Sequence, residues 1–132
     1  AREINDGKPK WVVDQAKAAA FDVQQATGRA PVVAVLGLAF KPNIDDLRES
    51  PALNIAIEVA QQFTGSRILV VEPHVEELPA ALAGRDNVEL VPAEDGIREA
   101  DIVLLLVDHD AFADLGPRVQ GKRVIDTRGQ WR

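Results

Sequence analysis

Short apolar runs at residues 32–36, 68–71, 88–91, 102–107 and 124–125, separated by stretches that read as helices, constrain this chain more than any other feature. Several of them are apolar at consecutive positions rather than at alternate ones, which marks strands covered on both faces, as in a parallel sheet. The intervening segments 51–63, 75–83, 93–100 and 111–115 carry helical sequence. Strand and helix in alternation predict an α/β fold: a Rossmann-like, doubly wound parallel sheet of about five strands with right-handed crossovers. Upstream, residues 9–26 place Val13, Ala16, Ala20 and Val23 at alternating steps of three and four, so an N-terminal helix precedes the first strand. That helix serves either as a connector from an upstream part or as a layer packed on the sheet.

At 132 residues, 46% of them hydrophobic, the chain has material for one core and not for two independent domains. Its formal charge of −6 argues against nucleic acid as a partner, because no net field draws the polyanion in. A small anionic ligand stays open, since backbone N–H groups and a few placed cations suffice to hold phosphate. There is no cysteine, which excludes disulfides, thiolate metal sites and thiol nucleophiles within these residues. No apolar run approaches the length of a membrane helix, and no secretory pattern opens the chain, so a cytoplasmic, membrane-free protein is expected. The absence of methionine and the opening Ala1-Arg2-Glu3 lead us to expect a piece of a longer polypeptide.

In a doubly wound sheet, ligands bind beyond the carboxyl ends of the strands. The connection after the first strand, from Gly37 to Ser50, is much longer than the usual 2–6 residues and carries Phe40, Lys41, Asp45, Asp46, Leu47 and Arg48. Ser50-Pro51 then forms a helix start, with serine as N-cap and proline at the first helical position. Ala39 and Pro42 stand where a dinucleotide fingerprint needs glycine, so this turn does not cradle a pyrophosphate with its own backbone. Lys41 and Arg48 offer another way to hold anionic oxygens, one as a mobile point charge and the other as a bidentate fork. The alternative is a solvated Lys41 and an Arg48 paired with Asp45, Asp46 or Glu49. Asp45 and Asp46, without histidine support, read as turn residues rather than metal ligands. Glu72 lies about 35 residues beyond Gly37 rather than the roughly 20 expected of a ribose-binding acid, which favours a structural hydrogen bond. His74 and His109 read as surface loop residues. Arg128, in the last loop, should emerge on the same edge as Lys41.

The run from Gly37 through Phe40-Lys41-Pro42, Asp45-Asp46-Leu47-Arg48-Glu49-Ser50-Pro51, with Val71-Glu72-Pro73, Val107-Asp108-His109 and Asp126-Thr127-Arg128-Gly129, resembles the C-terminal domain of the UDP-glucose/GDP-mannose dehydrogenase family. The resemblance implies an NAD-dependent, two-step oxidation of a nucleotide-sugar alcohol to the uronic acid, with UDP-N-acetyl-mannosamine as substrate. It also implies a cysteine thiol and an NAD domain supplied by the remainder of the polypeptide, so this chain is expected to be inert alone. By the same resemblance Phe40, Lys41 and Arg128 contact the UDP-sugar, and Arg48 reaches NAD. Residues 1–30 match the end of a connecting helix that forms the family's homodimer, and residues 31–132 the UDP-sugar-binding domain. A stand-alone nucleotide-binding or assembly module is the competing expectation.

Overall fold

The structure, a computed structural model, describes residues 9–39 and 50–127. Five parallel strands, β1 (Val33–Leu36), β2 (Ile68–Val71), β3 (Val88–Leu90), β4 (Ile102–Leu105) and β5 (Arg123–Asp126), form one sheet in the order β3-β2-β1-β4-β5. Val33 pairs with Ile68 on one side and with Ile102 on the other, so β1 is central. The winding reverses between β1 and β4, and their carboxyl ends define the crevice where such sheets take ligands.

Alternation divides the strand residues between two layers, as the consecutive apolar runs require. Val33, Val35, Ile68, Val70, Ile102 and Leu104 face α1 (Pro9–Thr27) and α2 (Pro51–Gln62). Ala34, Leu36, Val71, Val103 and Leu105 face α4 (Ala93–Glu99) and the 3-10 helix Asp110–Val119, which contribute Ile97, Phe112, Leu115 and Val119. Helix α1 is part of the first layer: Val12, Val13, Ala16 and Val23 are buried in the same core as Val33 and Ile102. Asp101 fastens the α1–β1 connection to the start of β4, accepting from the Val32 N–H at 2.9 Å and from both terminal nitrogens of Arg29 at 3.0 and 3.2 Å.

Two helices differ from expectation. Of the segment 75–83 only α3 (Ala80–Ala83) is helical. Pro79 is extended there (ψ 156°) and disfavours helical geometry at the residue before it, so the helix cannot begin at Val75. The piece expected at 111–115 is the longer 3-10 helix Asp110–Val119, which contains Pro117.

Helix α2 starts as its sequence indicates. Ser50 Oγ accepts from the Leu53 N–H at 3.2 Å and donates to the Leu38 carbonyl at 2.7 Å. The hydroxyl therefore caps the helix and ties residue 50 to the end of β1, holding both flanks of the 40–49 segment together. Ser50→Ala removes both bonds and should destabilise the chain by about 1–2 kcal/mol, read as a lower urea midpoint with unchanged slope.

Candidate functional site

Three connections meet at the carboxyl edge: the turn after β1, the Glu72-Pro73-His74 turn after β2, and the stretch from Leu106 to His109 after β4. Gly37 opens the first, with φ at 98° and its N–H on the Val71 carbonyl at 2.9 Å. At its centre lies the Glu72 carboxylate. Oε1 accepts the Leu38 N–H at 2.8 Å, the Ala39 N–H at 3.2 Å and His109 Nε2 at 3.0 Å, while Oε2 accepts the His74 N–H at 3.0 Å. Glu72 is thus the structural hydrogen-bond acceptor that its position in the sequence indicated.

His109 is not a surface residue, contrary to the sequence reading: it is 0% exposed and paired with Glu72. Pairing in the order β2-β1-β4 carries residues 72 and 109 to neighbouring loop positions, which chain distance alone does not reveal. The His109 ring also meets Phe112 edge-on at 5.4 Å and His74 at 4.6 Å. His74 itself is exposed, as expected.

Burial alone would raise the Glu72 pKa, but hydrogen bonds from His109, Leu38 and His74 outweigh it and hold the carboxyl below its ordinary value of 4.5. Asp101 is treated likewise: burial raises it, and the Arg29 and Val32 bonds bring it below 3.8. For carboxyls depressed in the folded state, the stabilisation is complete above the ordinary pKa and is lost as pH falls toward the folded-state value. Thermal midpoints should hold near neutrality and drop as pH falls below about 4.5, less steeply in Glu72→Gln. A flat profile in acid would contradict these assignments.

Glu72, His74 and His109 each offer a metal-ligand atom, all within 4.8 Å of one another. The existing bonds give this cluster a different role. Oε1 already takes three donors, so a cation there would compete with two backbone N–H groups and the imidazole.

Beside Glu72, beyond β2 and β3, opens a cavity of about 360 Å³ whose walls include Val71, Pro73, Leu90, Val91 and Phe112, with Glu76 among its lining residues. Its described lining holds acids and no cation, which suits an uncharged ring or sugar face rather than a diphosphate. Phe40, Lys41, Arg48 and Arg128, together with Asp45 and Asp46, fall outside the described residues. Their anchors are described: Leu38 and Ala39 rest on Glu72, and Thr127 donates through N and Oγ1 to the Leu105 carbonyl at 3.1 and 2.8 Å. Both anchors stand at the carboxyl edge.

These features define a doubly wound α/β domain whose turn after β1 is braced at its carboxyl edge by a buried carboxylate. The UDP binding domain of the UDP-glucose/GDP-mannose dehydrogenase family matches residues 34–132, and the chain belongs to that family. It is 53% identical over 99% of its length to the NDP-N-acetyl-D-galactosaminuronic acid dehydrogenase of Ralstonia nicotianae, covering 29% of that protein. It is 46% identical over its whole length to the UDP-N-acetyl-D-mannosamine dehydrogenase of Escherichia coli, covering 32% of it. The UDP-N-acetyl-mannosamine dehydrogenase Cap5O from Staphylococcus aureus superposes with a TM-score of 0.65 at 30% identity over 92% of this chain and 27% of that one. The chain therefore spans under a third of these relatives. Among the described residues no helix is long and apolar enough to cross a membrane.

The family implies a dinucleotide, and the described part of this edge does not fit one. Gly37 is used for close approach to Val107, which a Cβ would meet at 2.6 Å, and the Glu72 carboxylate is occupied by protein donors rather than free for ribose hydroxyls.

Proposed function

We propose that the chain is the UDP-sugar-binding C-terminal part of an NAD-dependent dehydrogenase that oxidises UDP-N-acetyl-mannosamine to the corresponding uronate. The observation that carries this reading is identity of 46–53% along essentially the full chain to nucleotide-N-acetylhexosamine dehydrogenases. The braced carboxyl edge supports it. In this reading Lys41 and Arg128 would neutralise the diphosphate, Phe40 would line the pocket and Arg48 would face NAD bound by the rest of the polypeptide, where that group would supply the hydride acceptor. Two diphosphates sharing one cleft require such fixed cations. The chain has no cysteine, so its part is to bind and orient, and by itself it oxidises nothing. Residues 1–30 end the connecting helix of a homodimer, a role to which Phe21, 63% exposed on α1, is suited. The 53% identity to the galactosaminuronate enzyme favours, as a second reading, a nucleotide-linked N-acetyl-galactosamine as substrate.

Calorimetric titration of UDP and of both UDP-N-acetylhexosamines into the chain tests this reading. Saturable binding is expected, weakened about tenfold or more by Lys41→Ala and by Arg128→Ala through loss of a charge-assisted contact. Binding that neither substitution alters would contradict the cation assignment, and tighter binding of the galactosamine nucleotide would favour the second reading.

A further inference from the structure

We propose that Glu72 and His109 are positioning residues for the nucleotide-sugar site, a buried clamp that fixes the backbone at Leu38 and Ala39, where the chain enters the 40–49 segment. The proposal rests on the binding reading above, but its geometry is independent of it. One carboxylate oxygen holds two consecutive N–H groups, Leu38 and Ala39, and a histidine from the far side of β1 holds that same oxygen in place. The Leu38 carbonyl is bound in turn by Ser50, so the Leu38–Ala39 peptide is fixed at its N–H by Glu72 and at its C=O by Ser50. Lys41 follows Ala39 by two residues in the sequence. Arg128 is one peptide from Thr127, itself bound to the end of β4.

A carboxylate and a histidine buried together stabilise a fold less effectively than an apolar pair of the same volume. Here the pair lies at the mouth of the ligand edge, where directional bonds to loop backbone give what apolar packing does not.

The test compares Glu72→Gln and His109→Gln in the 132-residue chain by amide hydrogen exchange and UDP titration. Glu72→Gln keeps the shape but exchanges a charged acceptor for a neutral one. Exchange at Leu38 and Ala39 should quicken about tenfold, and UDP affinity should fall about tenfold in molecules that remain folded. His109→Gln loses the imidazole that holds Oε1, so exchange at Leu38 and Ala39 should quicken and UDP affinity should fall, both by less than in Glu72→Gln, and unchanged values in this variant would remove His109 from the clamp. Unchanged exchange at Leu38 and Ala39 in Glu72→Gln would overturn the clamp. So would an unchanged UDP affinity in that variant alongside lowered thermal stability, the pattern of a purely structural pair. If the wild-type chain failed to bind UDP, the nucleotide-sugar reading would fall, and with it the clamp's role in that site, while the exchange data would still decide the clamp itself.

Discussion

Gly37→Ala should destabilise this chain by about 3–5 kcal/mol, a large share of the 5–15 kcal/mol that holds a typical domain together. Two costs combine. The residue sits at φ 98°, where a Cβ strains the backbone by about 1–3 kcal/mol. The new atom would also stand 2.6 Å from Val107 Cβ, 2.9 Å from its Cγ2 and 3.0 Å from its backbone nitrogen. Val107 is stiff and 1% exposed two residues past the end of β4, so relief requires movement of backbone at the switch point. Gly121→Ala is the control, because its φ of 85° carries the backbone strain while nothing lies within 4 Å of the added carbon. Urea unfolding should therefore separate the two variants by about 1–3 kcal/mol, and equal losses would show that contact with Val107 is unimportant.

Glu72→Leu should cost about as much, roughly 3–5 kcal/mol, by a different route. Leucine fills the space but leaves the Leu38, Ala39 and His74 N–H groups and His109 Nε2 without the acceptor they share. Adding His109→Leu should recover only part of the loss, since it removes one stranded donor and leaves three backbone groups. Thermal unfolding of the single and double variants measures this directly. Full recovery in the double variant would mean that the backbone bonds contribute little and that the carboxylate is there to satisfy the histidine alone.

Much of the architecture is visible in the residues before any coordinates. Consecutive apolar positions in runs such as Ile102-Val103-Leu104-Leu105 demand two covered faces, and the core divides between two layers accordingly. Ser50-Pro51 marks the start of α2 because cap and first-turn chemistry are local. The Glu72–His109 pair was harder to read. His109 stands between Asp108 and Asp110, the surroundings of a solvated loop, and its burial depends on strand order and on a 3-10 helix that brings Phe112 against it. One signal was available: an acid after β2 and a histidine after β4 both project from carboxyl ends that flank β1. The expected helix from Val75 failed for a local reason, the proline at 79, which the same rules could have flagged. Lys41, Arg48 and Arg128 are legible as cations in carboxyl-edge loops, whereas their particular ligands and the role of Phe40 come from motif resemblance; the described neighbours Ala39, Ser50 and Thr127 are fastened at that edge.

The most direct measurement is a two-dimensional amide NMR titration of the isotopically labelled chain with UDP. Saturable shifts are expected at Gly37, Leu38 and Ala39, at Glu72 and His74, and at Thr127, while the far ends of the strands, Val33, Ile68 and Ile102, stay unmoved. No shifts at millimolar UDP, or shifts confined to α1 and the amino-terminal ends of the strands, would contradict the assignment of this edge as the nucleotide-sugar site.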